Sequence, residues 1–169
     1  GERSGTLYCL DTDGSITPLF NGCGIPNGMG FTADRKHMFF TDSMDHTIYI
    51  FDYDQRSGKL SHKRPFVEIE PRDGLPDGMT VDIEGHVWSA RCFGAALFRY
   101  SPKGVEEISI SFPTKHVSSV AFGGNDLTDI YCTTIGGDNR EEHGSMAGAL
   151  FRLKLGIRGI PDYYSCVGL

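Results

Sequence analysis

Leu75-Pro76-Asp77-Gly78-Met79 repeats, with one change of polar residue, the stretch Ile25-Pro26-Asn27-Gly28-Met29 about fifty residues earlier. Each copy runs into a short hydrophobic segment, a turn, and then a segment rich in aromatic or β-branched residues. The first continues through Gly30-Phe31, turns at Ala33-Asp34-Arg35-Lys36 and enters His37-Met38-Phe39-Phe40-Thr41-Asp42. The second continues through Thr80-Val81, turns at Asp82-Ile83-Glu84-Gly85 and enters His86-Val87-Trp88-Ser89-Ala90. A third, more degenerate copy runs from Val117 to Phe122 and from Ile130 to Thr134, and in its register Ser118 stands where Asn27 and Asp77 stand. Ala96-Leu97-Phe98-Arg99-Tyr100 likewise returns as Ala149-Leu150-Phe151-Arg152-Leu153.

Outward from these copies, the chain is a succession of short runs bounded by Gly, Asp, Asn and Pro. No long segment keeps apolar residues at i, i+3, i+4 and i+7, so strands are expected almost throughout. Units of roughly 40–50 residues with four short strands each are the sequence form of a β-propeller blade. The expected class is all-β, with four-stranded antiparallel blades. Residues 1–25 supply the outer strands of one blade, 26–70 a second blade, 71–114 a third, and 115–169 an incomplete last blade and tail. That is thirteen strands, with Tyr163 to Val167 available as one more outer strand. Such an arc cannot close on itself, and open strand edges invite pairing. The chain therefore reads as the C-terminal half of a larger protein, or as a half that needs a second chain.

Composition narrows the partners. The net charge of −6 and the scattered Lys and Arg leave no basic stripe for nucleic acid or an anionic membrane. No apolar run approaches the ~20 residues of a membrane span. Five cysteines, odd in number and without CxxC spacing, fit neither a zinc site nor a disulfide framework, so a reducing, cytoplasmic setting is expected.

The first strand of a propeller blade lines the central channel. Asn27 and Asp77 begin such strands and should converge at the channel mouth, rimmed by residues 41–46, 91–95 and 135–148. Asn-Gly and Asp-Gly are strong turn dipeptides, and either alone reads as a turn. At matched register they also offer converging oxygen ligands for a hard cation, and a carboxylate beside such a cation can act as general base. His46, Arg140 and His143 fall on rim loops, as candidate substrate contacts. His37, His62 and His86 read as structural or solvated, Trp88 as core between blades, and Asp42 and Asp45 as bonding the backbone of their loop. Ser118-Ser119 lacks the G-x-S-x-G pattern, so serine hydrolase chemistry has no support. The polar stretch from Gly136 to Gly144 lacks the acidic alternation of an EF-hand and reads as a rim loop or lid.

These residues resemble a known family. Pro26-Asn27-Gly28-Met29 through Phe51-Asp52-Tyr53-Asp54, Pro76-Asp77-Gly78-Met79 through Val87-Trp88, and Gly148-Ala149-Leu150-Phe151-Arg152 with Gly156-Ile157-Arg158-Gly159 are similar to the senescence-marker-protein/gluconolactonase family of regucalcin-like lactonases. The resemblance implies about half of a six-bladed propeller. It also implies one divalent metal ion (calcium or zinc, with magnesium and manganese as alternatives) and hydrolysis of a small sugar lactone. It makes Asn27 a metal ligand, and Asp77 a metal ligand and the general base that activates water against a metal-polarised carbonyl. The family's further glutamate ligand and its substrate-holding Arg and Asn should lie upstream of Gly1. The isolated chain is therefore expected to bind metal poorly and to be inactive. Two other readings compete: a non-enzymatic calcium-binding or regulatory propeller, and a different esterase or phosphotriesterase on the same scaffold.

Overall fold

A computed structural model describes residues 2–137 and 140–162, and strands dominate it. β1 (Gly5–Leu10) and β2 (Ile16–Cys23) form a two-stranded sheet. β3 (Pro26–Phe31), β4 (His37–Asp42), β5 (Thr47–Asp54) and β6 (Lys59–Glu68) form a four-stranded sheet, in that order. β7 (Leu75–Val81), β8 (Val87–Cys92), β9 (Ala96–Tyr100) and β10 (Glu106–Ser111) form another. β11 (Val117–Gly123), β12 (Asp129–Thr134) and β13 (Leu150–Lys154) form a three-stranded sheet. Every pairing joins sequence neighbours antiparallel, as hairpin-built blades require. The Tyr163 to Val167 segment lies outside the described residues.

The stretch expected as an open rim loop contains a single helical turn, α1 (Arg140–His143). Among the described residues the other helical pieces are 3-10 turns, at Ser43–Asp45 and Pro71–Asp73.

Strand periodicity places the core between sheets rather than within one. On β4, Met38 and Phe40 pack with Cys23, Phe20 and Leu7 of the β1–β2 sheet. Phe39, pointing the opposite way, packs with Met79, Val81 and Val87 of the next sheet. Trp88, Ala90 and Leu97 then face Val117, Val120, Ile130 and Cys132 across the last interface. A sheet buried on both faces has to be apolar on both, which is why these strands read as nearly continuous hydrophobic runs. Burial pushes the Cys132 thiol up to about 12, so it behaves as a small apolar filler.

Asp82 fixes the β7–β8 turn. Its carboxylate accepts from the backbone N–H groups of Glu84 (3.0 Å) and His86 (2.9 Å), from Trp88 Nε1 (3.0 Å) and from Arg99 Nε (2.9 Å). The chain after β13 bonds this turn, with Ile83 N–H donating to Arg158 O (2.9 Å), and reaches the β11–β12 turn, with Gly159 N–H donating to Leu127 O (2.9 Å). This tie holds the end of β7 away from Asp77, leaving the Asp77 end to the loops described next.

Candidate active site

The repeated turn of the sequence is a repeated β-bulge. β3 pairs with β4 at Pro26–Asp42 and next at Met29–Phe40, so Asn27-Gly28 carries one residue more than its partner strand. β7 does the same between Pro76–Arg91 and Met79–Ser89, at Asp77-Gly78. On β11 the extra residue falls between Val117–Thr134 and Ser119–Thr133, at Ser118. A bulge lifts a residue out of the pleat and re-aims its side chain.

Two glycines then bring the inner strands together. β3 packs against β7, and β7 against β11. A Cβ on Gly28 would lie 2.6 Å from both Asp77 O and Met79 N, and one on Gly78 would overlap Ser119. Only glycine permits backbones this close. Asn27 and Asp77 thereby become neighbours although their sheets are separate.

Their polar atoms are tightly assigned. Asn27 Nδ2 donates to Ser43 Oγ (3.1 Å), and Ser43 Oγ donates onward to Pro76 O (2.6 Å). The Asn27 amide also lies close enough to the Asp77 carboxylate to favour its charged form. With Nδ2 donating to Ser43, Oδ1 remains as the lone-pair group of the amide. Burial raises the Asp77 carboxyl above its usual range, partly offset by Asn27 and the Gly78 N–H. Among the described residues Asp77 has no cationic partner.

Ser43 is held by its neighbour. Asp42, buried at 1% exposure, accepts from Gly24 N–H (2.8 Å), Ile25 N–H (2.9 Å) and Met44 N–H (3.1 Å), capping the 3-10 turn that carries Ser43. Asp45, expected to bond the loop backbone, instead directs its carboxylate to the Tyr49 hydroxyl (2.8 Å) and to Arg3. The Tyr49 hydroxyl is pushed up to about 12 by burial and by that carboxylate.

A second group lies beside the first. Cys92, which ends β8, makes an isolated bridge with His116, and its Sγ stands 3.3 Å from His116 Nδ1. The His116 ring meets the Phe93 ring edge-to-face at 4.4 Å and the His143 ring at 4.6 Å. Burial raises the Cys92 thiol, and the charge of Asp77 raises it further, so Cys92 lies within electrostatic reach of that carboxylate. Burial, with His143 and Lys115 adding repulsion, lowers His116 below the ordinary histidine range and keeps it neutral near pH 7.

The model of the SMP-30/Gluconolactonase/LRE-like region matches residues 1–136. The chain belongs to the SMP-30/gluconolactonase family. It is 47% identical, over 98% of its length, to the pentonolactonase XacC of Haloferax volcanii, and covers 59% of that protein. It is 34% identical over 96% of its length to regucalcin of Gallus gallus, covering 56% of it. A solved calcium-binding regucalcin from Agrobacterium tumefaciens superposes with a TM-score of 0.86 at 26% identity, over 95% of this chain and 55% of that one. The chain thus spans about half the length of the family relatives it matches, and the four sheets form about half of a β-propeller.

Within this family member, the structure brings together Asn27 and Asp77, and joins His143 to the neighbouring group through His116. The other two predicted substrate residues make no hydrogen bond to Asn27 or Asp77. His46 closes the 3-10 turn with its N–H on Ser43 O (3.1 Å), in left-handed backbone at φ 52°. Arg140 lines a groove of about 370 Å³ with Gly136, Gly137 and the segment after α1. Ser118, third in the register, pairs with Thr133 Oγ1 at 2.9 Å.

Asp82, Glu84 and His86 are the one group of three such ligand types to converge among the described residues. The Arg99 guanidinium already supplies their positive charge, at 2.7 Å from both Asp82 and Glu84. Sequence reading missed Ser43, Cys92, Phe93 and His116. Ser43 and Cys92 do share a signal: each directly follows the residue paired with the proline of its repeat.

Proposed function

We propose that the protein containing this chain hydrolyses sugar lactones, with Asn27 and Asp77 as ligands of one divalent metal ion and Asp77 as the general base. The observation that carries this reading is a half-buried carboxylate without a cationic partner among the described residues, set beside an amide whose Nδ2 is engaged by Ser43. The donor set fits a hard cation: one amide oxygen and one carboxylate, with no sulfur ligand required. The names of the relatives, a pentonolactonase and a calcium-binding regucalcin, support the substrate class and the kind of ion.

A bound divalent cation would supply Lewis acidity to the lactone carbonyl. The chain's own residues do the rest. Ser43 holds the Asn27 amide by its Nδ2, which would leave Oδ1 as the atom to ligate the cation. Asp77, made more basic by desolvation, takes the proton of the attacking water. Two side-chain oxygens are few against the roughly 6–8 that calcium takes. Waters and groups outside this chain would complete the shell, and the isolated chain should bind metal weakly.

In the chain as it is made in the cell, a chelator should abolish lactone hydrolysis and added divalent metal should restore it. Asp77→Asn should lower kcat about 10²–10⁴-fold, the range of a lost general base. Full activity in Asp77→Asn would overturn the assignment, and a preference for phosphotriesters over lactones would move the protein to a different hydrolase class.

A further inference from the structure

We propose that Phe93, His116 and His143 form a sugar-facing wall beside Asp77, in which the Phe93 ring covers the C–H face of a hydroxylated lactone and the imidazole pair hydrogen-bonds its hydroxyls. The assignment rests on the lactonase reading above and names what that site selects.

Phe93 is the first observation. It is a large apolar residue 56% exposed on a rim loop, with φ at 65°. A bulky side chain in left-handed backbone is an outlier, and such conformations persist where the surroundings enforce them, often at ligand sites. The corresponding residue of the preceding rim loop, Met44, packs its side chain onto Gly24 instead.

Phe93 is also braced. Its ring meets His116, which is 4% exposed, and His116 is held in turn by Cys92 at Nδ1 and by the His143 ring. A rigid exposed aromatic presents contact area at small conformational cost.

The second observation is polar. His116 has its Nδ1 engaged by Cys92, and the Nε2 atoms of His116 and His143 have no hydrogen-bond partner among the described residues, which leaves them for a ligand. A buried polar atom left without a partner is costly. A ligand that shuts water away from these Nε2 atoms satisfies them only where it presents a hydroxyl, so such a wall discriminates strongly. A sugar lactone has both features required: an apolar C–H face and a ring of hydroxyls. Cys92 pairs with Leu75 and Arg91 with Pro76, so the loop that carries Phe93 leaves its sheet beside the strand end that carries Asp77, and the wall stands next to the base.

The test uses the chain as it is made in the cell, with glucono-1,5-lactone and with δ-valerolactone, the same ring without hydroxyls. Phe93→Ala should lower kcat/KM for gluconolactone about tenfold, through KM, and Phe93→Tyr should restore it. His143→Phe should lower kcat/KM for gluconolactone about tenfold and for δ-valerolactone by no more than about twofold. Equal losses on both lactones in His143→Phe, as a merely structural role would give, or no loss on gluconolactone in either the Phe93→Ala or the His143→Phe variant, would overturn the wall.

Calorimetric binding of gluconate, the open-chain product, separates this proposal from the lactonase reading. If the wild type hydrolyses no lactone, that reading fails by itself. Gluconate bound about tenfold more weakly by Phe93→Ala still supports the wall. Unchanged binding, or none to the wild type, overturns it.

Discussion

The two rim loops at residues 42–46 and 91–95 leave their sheets at the same register, since Asp42 pairs with Pro26 and Arg91 with Pro76. Both close on left-handed backbone, at His46 (φ 52°) and Ala95 (φ 51°). Their contents are opposite. The first uses polar side chains on the protein itself: Asp42 caps three backbone N–H groups, and Ser43 orients Asn27. In the second, Arg91 is fully buried against the Phe98 and Tyr100 rings, Cys92 meets His116, and Phe93 faces outward. The repeated backbone decides where a loop goes, and the side chains at two or three positions decide whether it builds the site or faces a ligand.

The largest expected contrast is in stability. Asp42→Ala leaves three N–H groups without their acceptor and should cost about 3 kcal/mol in urea unfolding. Arg91→Met, at the equivalent position, should cost about 1 kcal/mol, because removing a desolvated guanidinium offsets its lost hydrogen bonds. Similar costs at both sites would erase the distinction between the loops.

A smaller contrast should appear in metal affinity. Ser43→Ala frees the Asn27 amide and should weaken divalent-metal binding about 10–100-fold, whereas Cys92→Ala should leave it within about twofold. Titration calorimetry on the chain as it is made in the cell measures both.

The smallest effect concerns Asp77 without metal. Its folded-state carboxyl is raised above the ordinary 3.8, so the fold favours the protonated form. Stability is undiminished below that ordinary value and falls as the pH climbs through the raised one, and the deficit persists at neutrality. Asp77→Asn removes the deficit. It should raise Tm at pH 7 in chelator by no more than a few degrees, and the gain should vanish below about pH 4. A lower Tm at pH 7 would mean that the carboxylate already has a cationic partner.

The fold was legible because its signals are local. Met38, Phe39 and Phe40 alternate between two cores, and Asp82 with Gly85 writes its turn into the sequence. Asn27 and Asp77 were legible as an echo, and the structure adds that the echo marks a bulge and a glycine contact. His116 carried no such mark. It stands 24 residues from Cys92, and its pairing depends on how the fourth sheet packs against the third, which no periodicity encodes. His46 lies on the rim loop, where its left-handed backbone ends the 3-10 turn, a role that no sequence period marks. Arg140 opens the helical turn of the insertion and lines its groove, which is likewise a local feature without a periodic signal.

The bulge has a consequence for how such a molecule changes over time. A residue outside the pleat takes part in neither the ladder on one side nor the apolar interface on the other. Its replacement therefore leaves register and packing alone. Asn27, Asp77 and Ser118 occupy three such sockets, already filled by an amide, a carboxylate and a hydroxyl. A scaffold with one interchangeable socket per blade can acquire, retune or lose a cation by single substitutions without having to refold around them.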